Sequence, residues 1–546
     1  MTILAASPNV KHTGAYYTSE DVARFLADWA IRSPDDEVLD PSFGGGVFLE
    51  AAARVLEERG GRASQVYGVE FDATVREDTA QRLQGVIPEK GLWISDFFAL
   101  DPRSFDAVIG NPPFVRYQTF SGSARERAMY RSLQQGVTLP RLASSWAPFV
   151  VHSCAMLRPG GRLAMVLPME MWHAAYARPV LAYLTGRFRT LEVLTFDDRL
   201  FPDLSQDTVL VLADDFGQGD AELRWHHTRS AADLSGWTNI RTRPPARVLP
   251  ADLIATGEQR LIEEFVPKAA RELYRELAAH PKVVKLGNIA RVGIGYVSGN
   301  NKFFHLSEAE ASEKGIPREY LVQAIRKGRA FRGLRFTQAD WEQAELRGDA
   351  AFLLSIPAMK SLPELPGPLQ DYIAQGERDG VHLAYKCKVR DPWYSVPHVH
   401  IPDGFVTYMS GLTPKFVVNA GEFVSPNNLH TVRLHRPEPT LADRCAAGWR
   451  SSLSRLSVEI EGHAMGGGML KLEPKEAASV LLPLPDEHAA DFSTIDALAR
   501  TSTDQSTSEE IDRETLMPLG VSRRDCRLLR NAAEGMAERR YRGGRD

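Results

Sequence analysis

The sequence predicts an α/β protein with a doubly wound, mostly parallel sheet, followed by a carboxyl-terminal α+β domain. Up to about Ala213, short apolar runs typical of buried strands alternate with amphipathic segments typical of helices. Residues 283–485 form shorter segments that are rich in turn residues, which favours a mixed α+β domain. A chain of 546 residues is long enough for two or three domains.

The first predicted elements are a helix, a strand and a glycine-rich turn. The helix is expected at 19–31, because apolar residues recur there at helical spacing after the capping residues Thr18 and Ser19. A strand at 37–40 then leads into a turn and a second helix that begins near Val47. The turn lacks the glycine spacing of a dinucleotide fingerprint and the Lys-Ser/Thr pair of a phosphate loop, which argues against NAD or ATP.

Two further predicted strands end in an acid beside aromatic residues. Glu70 ends the strand at 65–72, where a carboxylate would meet ribose hydroxyls, and Phe71 follows it. Asp96 follows the strand that begins at Leu92, and Phe97 comes next. An acid that accepts from an exocyclic amine, next to a ring that can stack, would form an adenine pocket. The alternative for Asp96 is a helix cap.

A fourth predicted strand, Phe105–Gly110, leads directly into Asn111-Pro112-Pro113-Phe114. The two prolines fix φ and remove two backbone donors, so the loop keeps a side-chain amide, carbonyl acceptors and an aromatic ring. The Asn111 amide oxygen and the Pro112 carbonyl could accept both hydrogens of a planar amine while Phe114 stacks on its ring. The alternative is a proline-stiffened turn with a capping Asn.

Taken in order, these motifs resemble those of S-adenosylmethionine-dependent DNA methyltransferases that modify adenine N6. The resemblance rests on residues 13–18, 40–46, Glu70, Asp96 and 111–114, and the motif order is similar to that of the γ group in restriction-modification systems. Residues 157–168 and 200–212 are similar to two later motifs of the family. The second of these implies that Phe201 packs on a flipped base. The alternative is a core aromatic ahead of a strand.

The resemblance implies a cofactor, a substrate and a set of site residues. The cofactor would be S-adenosylmethionine, and the substrate would be a flipped-out adenine in double-stranded DNA, with no metal required. The implied cofactor-binding residues are Thr18, Asp40, Pro41, Phe43, Gly44, Gly46, Glu70, Phe71, Asp96 and Phe97. The implied catalytic residues are Asn111, Pro112, Pro113, Phe114 and Phe201. A separate restriction endonuclease or another defence-system subunit is an expected partner.

Other functions use related chemistry. Cytosine C5 methylation needs a Pro-Cys nucleophile, and none of the four cysteines follows a proline. Cytosine N4 methylation uses the same amine chemistry and is the nearest alternative. Methylation of RNA or of a protein glutamine is disfavoured by the long carboxyl-terminal extension. The alternative from another class is a non-catalytic DNA-specificity component that keeps the cofactor fold as a scaffold.

The formal net charge of −5 means that a nucleic-acid surface must be a local patch. Residues 320–338 contain no acid, and their cations predict phosphate contacts. These cations, here called the basic run, are Arg326, Lys327, Arg329, Arg332 and Arg335. The interleaved Tyr320, Phe331 and Phe336 predict base stacking, and the alternative is a solvated helix face. The arginines after residue 522 predict a solvated terminal helix.

We predict four segments along the chain. These are a catalytic methyltransferase domain at 1–235, a linker and bridging helix at 236–280, a target-recognition domain at 281–485, and a linker with a basic helix at 486–546. The bridging helix is expected at 257–280 and a polar linker at 501–508. The cysteines lack paired spacing, and no apolar stretch is long enough to span a bilayer, so we expect a cytoplasmic protein without a membrane partner.

Overall fold

The computed structural model describes residues 18–115, 119–172, 174–201, 207–237, 240, 243–411, 414–436, 438, 440–484, 491–501 and 505–542. The chain divides into two compact units. The first unit comprises Met1–Glu264 with Arg542–Asp546, and the second comprises Phe265–Tyr541.

The first unit is built on a nine-stranded sheet. Its strands are β1 (Val38–Asp40), β2 (Val66–Glu70), β3 (Leu92–Ile94), β4 (Phe105–Gly110), β5 (Leu157–Pro168), β6 (Thr190–Phe196), β7 (Thr208–Asp214), β8 (Glu222–Thr228) and β9 (Arg247–Leu249). Their order in the sheet is β3-β2-β1-β4-β5-β7-β6-β8-β9. The pairs from β3 to β5 and the pair β6-β8 are parallel, whereas β5-β7, β7-β6 and β8-β9 are antiparallel. The predicted doubly wound, mostly parallel sheet is confirmed.

The helices of the first unit are α1 (Glu20–Ala30), α2 (Val47–Glu58), α3 (Ala73–Arg82), α4 (Gly122–Gln134), α5 (Trp146–Ala155), α6 (Arg178–Thr185) and α7 (Ala251–Thr256). The predicted first helix is confirmed as α1, and its cap is Ser19, whose hydroxyl accepts the N–H of Val22 at 3.4 Å. Leu26 of α1 and Leu49 of α2 are buried in the same apolar core as Val38 and Ile109 of the sheet. Apolar packing against α1 and α2 therefore holds the central strands in place.

The first unit continues beyond residue 235, because β8 and β9 extend its sheet and Leu223 pairs with Leu249. The helix expected at 257–280 is confirmed only for its second half, as α8 (Lys268–Ala278). Gly257 ends α7 with a φ of 77°, and Pro267 directly precedes α8 of the second unit. A left-handed glycine ends a helix, and a proline lacks the N–H that a continuous helix would need.

The second unit contains short strands in several small sheets. Its strands are β10 (Val283–Lys285), β11 (Ala290–Ile294), β12 (His305–Leu306), β13 (Leu321–Ile325), β14 (Arg335–Phe336), β15 (Ala350–Leu354), β16 (Gly404–Thr407), β17 (Met409–Ser410), β18 (Phe416–Asn419), β19 (Leu429–Leu434), β20 (His463–Ala464), β21 (Leu470–Lys471) and β22 (Leu481–Pro483). They form a five-stranded sheet β11-β19-β16-β18-β14, the three-stranded sheets β12-β15-β13 and β17-β21-β20, and the pair β10-β22.

Helices are interspersed with these strands along the chain, as expected for an α+β domain. After α8 they are α9 (Leu286–Ile289), α10 (Asn301–Phe304), α11 (Glu308–Glu313), α12 (Gln338–Leu346), α13 (Gly367–Arg378), α14 (Tyr385–Lys388), α15 (Leu441–Trp449), α16 (Ser452–Glu461), α17 (Pro474–Ser479), α18 (Phe492–Thr501), α19 (Gln505–Thr515) and α20 (Arg523–Arg542). Within the described ranges, no helix is both long and apolar enough to cross a bilayer.

The carboxyl-terminal helices are part of the core of the second unit. Ile495 of α18 and Ile511 of α19 lie in one apolar cluster with Trp449. Residues 505–508, expected within a polar linker, belong to α19, while 502–504 lie outside the described residues.

The prediction of a solvated terminal helix is wrong. Arg530 and Arg540 of α20 are buried. Arg540 forms an ion pair with the buried Glu459 at 2.9 Å, and Arg530 forms one with Glu509 at 3.0 Å. A buried carboxylate such as that of Glu459 needs a counter-charge, and α20 supplies it.

Candidate active site

The loops that follow β1, β2, β3 and β4 meet at one edge of the sheet. These four strands are neighbours and run parallel, so their carboxyl ends lie on the same side. Hydrogen bonds connect the loops directly. The N–H of Gly44 donates to Oε2 of Glu70 at 3.0 Å, and the hydroxyl of Ser42 donates to the carbonyl of Asn111 at 3.2 Å. The structure therefore brings most of the predicted site residues to this edge.

The glycine turn after β1 leaves its backbone accessible. Gly44 and Gly46 have φ values of 48° and 77°, a region that favours glycine. A Cβ at Gly46 would lie 2.7 Å from Cγ2 of Thr79, so this position is closed to a side chain. A Cβ at Gly44 would have no described atom within 4 Å. A ligand can therefore approach the backbone at Gly44.

The side chains of Pro41 and Phe43 pack against the strands that neighbour the turn. A Cβ at Gly110 would lie 3.3 Å from Cδ of Pro41, and a Cβ at Gly68 would lie 2.5 Å from Cδ1 of Phe43. Phe43 is buried. Both side chains thus pack on glycines of neighbouring strands, and they shape the turn rather than present a free surface.

Asp40, the last residue of β1, is a buried acid with one unpaired oxygen. Its Oδ1 accepts the N–H of Ser42 at 3.1 Å. Its Oδ2 is buried, and no described residue donates to it. Burial raises the pKa of Asp40 to about 8; the Ser42 hydrogen bond opposes this rise and the charge of Glu70 adds to it. The ligand-free carboxyl therefore keeps its proton at neutral pH, and a cationic donor group on a ligand would pair with Oδ2 once that proton is released.

Glu70 is held in one orientation by backbone groups. Its carboxylate accepts the N–H groups of Phe71 at 2.9 Å, Asp72 at 3.0 Å and Gly44 at 3.0 Å. A carboxylate offers about four acceptor positions, so one is left for a ligand. The ring of Phe71 is 73% exposed beside it. Glu70 and Phe71 together offer a fixed acceptor and an open aromatic face.

Asp96 and Phe97 have structural roles of their own. Oδ1 of Asp96 accepts the N–H of Phe98 at 3.0 Å and so caps the short 3₁₀ helix Phe97–Ala99, which is the alternative considered from the sequence. Its Oδ2 accepts from Nε and Nη2 of Arg127 at 2.9 and 2.7 Å. The ring of Phe97 is only 3% exposed and stacks on Phe149, with 5.1 Å between ring centroids. The expected stacking of this ring on a cofactor does not fit, because Phe97 is buried against Phe149 and His152.

The loop after β4 is fixed on both sides. Beyond the bond from Ser42, the hydroxyl of Ser145 donates to the carbonyl of Pro113 and accepts the N–H of Val115 at 2.8 Å. The N–H of Ser145 also donates to the carbonyl of Val115 at 3.0 Å. This serine directly precedes α5 and had no signal in the sequence, since it belongs to no motif that we identified. Only the fold brings it to the loop.

Two acceptors of this loop receive no hydrogen bond from a described residue. Nδ2 of Asn111 donates to the hydroxyl of the buried Thr18 at 3.4 Å, while its Oδ1 is buried and receives no hydrogen bond from a described residue. The carbonyl of Pro112 also has no donor among the described residues. A buried acceptor without a donor is costly, so such an arrangement suits a ligand that brings N–H groups.

The two predicted catalytic aromatics pack on one apolar cluster. Phe114 is half-buried at its border, whereas Phe201 is 5% exposed within it, beside Phe196 and Trp237. The burial of Phe201 agrees with the core-aromatic alternative, and Phe114 keeps part of its ring accessible. Residues 13–17 and 202–206, which belong to the motifs quoted above, lie outside the described residues.

The basic run in the second unit is partly neutralised by acids from other elements. Arg329 and Lys327 both lie near Asp349, with nitrogen–oxygen distances of 2.7 and 3.4 Å. Arg335 pairs with Asp443 at 2.6 Å. Three of the five cations of the basic run are therefore already paired with acids of the same chain.

The aromatic residues of this segment do not support base stacking. Tyr320, Phe331 and Phe336 are all buried, so this part of the prediction is wrong. Of the two remaining cations, Arg326 is half-buried and Arg332 is exposed. Neither forms an ion pair with a described residue. In the described part of the chain, no group of three or more His, Cys, Asp or Glu residues is arranged to hold a metal ion.

Two family models match the chain. The model described as N-6 DNA Methylase matches residues 3–212, and the model described as Type II methyltransferase M.Eco57I, C-terminal domain, matches residues 258–516. Among its relatives, Type II methyltransferase M.AccI of Acinetobacter calcoaceticus is 21% identical over 475 residues, which cover 85% of this chain and 84% of that protein. Type II methyltransferase M.PaeR7I of Pseudomonas aeruginosa is 27% identical over 343 residues, covering 55% of this chain and 58% of that protein.

Solved structures share the fold at low sequence identity. A nuclease-deletion mutant of the Type ISP restriction-modification enzyme LlaGI, in complex with a DNA substrate mimic, has a TM-score of 0.52 at 11% identity, covering 80% of this chain and 51% of that chain. The DrdV–DNA complex has a TM-score of 0.50 at 11% identity, covering 90% of this chain and 57% of that chain. This chain thus spans little more than half the length of either structure.

The two family models follow the two compact units closely. The first lies within the unit that carries the sheet, and nearly all of the second lies within the other unit. Assignment to the γ group stays a prediction from motif order. Residues 3–212 are similar to the N-6 DNA methylase family, and the chain is an S-adenosylmethionine-dependent DNA methyltransferase that is similar to the Type II methyltransferases of restriction-modification systems.

Proposed function

We propose that the protein transfers a methyl group from S-adenosylmethionine to N6 of a flipped-out adenine in double-stranded DNA, as the modification enzyme of a restriction-modification or other phage-defence system. The observation that carries this proposal is the pair of open acceptors, Asn111 Oδ1 and the Pro112 carbonyl, on a loop fixed by Ser42 and Ser145. The loop leaves the same sheet edge as Glu70.

The chemistry of this edge fits S-adenosylmethionine. When bound, the cofactor supplies a methyl group on a positively charged sulfur, which makes that methyl electrophilic. The free acceptor position of Glu70 suits a ribose hydroxyl, and the exposed Phe71 suits a purine ring. The open backbone at Gly44 permits close approach, and the unpaired Oδ2 of Asp40 suits an ammonium or other donor group.

The loop residues can activate an amine without a covalent intermediate. The amino nitrogen of adenine is a poor nucleophile because its lone pair is delocalised into the ring. When Asn111 and Pro112 accept both N–H hydrogens, the nitrogen becomes more pyramidal and its lone pair becomes available. The acceptors are already in place before the substrate arrives, so positioning and electrostatics lower the barrier.

Stacking on Phe114 can offset part of the cost of base flipping. Extruding a base costs a few kcal/mol, and stacking on an aromatic side chain contributes about 1–3 kcal/mol per base. We assign Phe114 rather than Phe201 as the residue that stacks on the flipped base, because Phe114 is the more accessible of the two.

Cations of the second unit are candidates for DNA contact, among them the exposed Arg332 and the half-buried Arg326 of the basic run. We also propose that any restriction endonuclease partner is a separate polypeptide, since the relatives described above are named as methyltransferases.

Identification of the reaction product tests the proposed function. The purified chain would be incubated with unmodified genomic DNA and S-adenosylmethionine labelled on the methyl group, and the DNA would then be digested to nucleosides. Label in N6-methyl-2′-deoxyadenosine is expected. Label in N4-methyl-2′-deoxycytidine would identify the nearest alternative, and no label in DNA from a chain that binds the cofactor would favour the non-catalytic specificity component.

A further inference from the structure

Two segments of the second unit that are distant in sequence are bound side by side. The loop at 297–302 lies against α14, and the guanidinium of Arg390, just beyond α14, donates to the carbonyl of Ser298 at 2.7 Å and to that of Val297. The thiol of Cys387 lies 3.9 Å from the same Ser298 carbonyl. These contacts fix the loop and the helix as one surface.

The contact between the segments is close. A Cβ at Gly299 would lie 2.9 Å from Sγ of Cys387 and 3.1 Å from Cβ of Lys386, so only glycine fits there without a shift. Beneath the loop, the ring of Phe303 stacks on Tyr372 with 4.6 Å between centroids. The exposed tip is thus supported by a buried aromatic core.

The outer side of this surface is basic. Lys302 from the loop and Lys386 and Lys388 from α14 are exposed, and none of them forms an ion pair with a described residue. Tyr385 lies among them with 69% of its surface exposed, and Nζ of Lys386 is 5.3 Å from its ring centroid. We call these four residues the lysine surface.

The two segments that carry the lysine surface contain no acid, although Glu308, Asp379 and Asp391 flank them. Residues 293–307 and 380–390 contain five cations or histidines besides Arg390 and no acid. The basic run differs, because Asp349 and Asp443 pair with three of its five cations. Unpaired cations on a rigid surface displace counterions from DNA more effectively than cations that must first leave an acid.

We propose that the lysine surface contacts the sugar-phosphate backbone of the DNA substrate. This inference rests on the proposed function and adds a contact surface outside the basic run. The three ammonium groups bind phosphate oxygens, and the Tyr385 hydroxyl donates to a phosphate or sugar oxygen, as tyrosine does in many protein–DNA contacts. Because Arg390 already orders the loop, little conformational freedom is lost on binding.

The test is the salt dependence of DNA binding by the full chain. A triple variant, Lys302→Ala, Lys386→Ala and Lys388→Ala, is titrated into a fluorescent duplex at several KCl concentrations and compared with the wild type. Each phosphate contact contributes a slope of about 0.9 in log K against log salt, so the slope should fall by about 2.7. Unchanged thermal unfolding and unchanged cofactor binding by calorimetry would show that the variant is folded.

A charge-matched control removes three exposed lysines elsewhere in the second unit, Lys268, Lys285 and Lys475. Its slope should stay close to that of the wild type. An unaltered slope in the first variant, or an equal fall in both, would overturn the proposal. So would loss of binding to a co-expressed protein without any change in the slope, because the surface would then serve a protein partner.

The methylation assay separates this inference from the proposed function. If the wild type methylates adenine and the lysine variant has the same salt slope of DNA binding as the wild type, the lysine surface does not contact DNA. The proposed function then still stands. If the wild type binds DNA with a slope that the lysine variant lowers, but forms no methylated base, the inference stands and the function fails. A wild type that binds no DNA overturns both.

Discussion

Nδ2 of Asn111 donates to the hydroxyl of Thr18 at 3.4 Å. The Oδ1 atom of the same amide is buried and receives no hydrogen bond from any described residue. Thr18 precedes the first helix, whereas Asn111 follows the fourth strand. The bond therefore connects the start of the described chain to the Asn-Pro-Pro-Phe loop, and it leaves the oxygen of the amide without a donor.

Thr18→Val should slow methyl transfer by about fivefold, since a hydrogen bond is worth about 1 kcal/mol and the amide would lose its preferred orientation. Single-turnover rates with saturating cofactor and DNA would measure this. Thr18→Ser keeps the hydroxyl and should restore most of the rate. A Val variant as fast as the wild type would remove Thr18 from this positioning role.

Asn111→Ala should reduce the transfer rate by about 100-fold to 1,000-fold, by analogy with the loss of one preorganised polar group from an active site. DNA affinity should change little, because phosphate contacts dominate it. Rapid-quench methylation and fluorescence anisotropy would be measured on the same preparation. Full activity in this variant would contradict the mechanism proposed for the loop.

Glu70→Ala should weaken cofactor binding by about tenfold or more, because three backbone N–H groups lose their acceptor along with the position left for a ligand. Isothermal titration calorimetry would give the dissociation constant. Glu70→Gln keeps one acceptor oxygen and should have an intermediate effect. An unchanged dissociation constant in the Ala variant would place Glu70 outside the cofactor site.

Asp40→Asn should stabilise the cofactor-free chain, and the gain should grow with pH. Unfolded Asp40 releases its proton near its ordinary pKa of 3.8, but the folded chain holds it up to about 8. Between these values unfolding releases a proton, so wild-type stability falls as pH rises, by up to about 1.4 kcal/mol per pH unit.

Thermal unfolding of wild type and Asp40→Asn at pH 5, 7 and 8.5 would check this, with buffers matched in ionic strength. The difference in Tm should widen with pH and level off above about 8, where both states of Asp40 are ionised. A constant difference across this range would mean that the Asp40 proton is not retained on folding.

Arg332→Ala should lower the salt slope of DNA binding by about one, because this exposed arginine forms no ion pair with a described residue. Arg335→Ala, a matched change within the same basic run, should lower it less, since Arg335 already pairs with Asp443. If the Arg335 variant showed the larger fall, the ion pair seen here would not persist in the DNA complex.

The elements that could be predicted from the sequence are those whose chemistry is local. The strand ends, the glycine turn and the Asn-Pro-Pro-Phe loop each depend on neighbouring residues, and the order of strands brought them to one edge. The cap of α1 at Ser19 was also predictable, because a capping side chain acts within its own helix turn.

The errors concern partners that are distant along the chain. The acids that neutralise the basic run, Asp349 and Asp443, come from outside the segment in which the cations were counted. Phe97 was expected at a cofactor, but Phe149 from a later helix covers its ring. The terminal helix looked solvated because its buried counter-ion, Glu459, lies some eighty residues earlier. Patterns within one segment carry no information about such contacts.

The ion pair between Arg540 and Glu459 has a consequence for truncated forms of the protein. A premature stop codon that removes only the last turn or two of α20 would leave a carboxylate buried without its counter-charge. Ribosomes that terminate a few codons early would thus release chains with a damaged core, and cellular proteases would clear them although every residue of the methyl-transfer site had been translated.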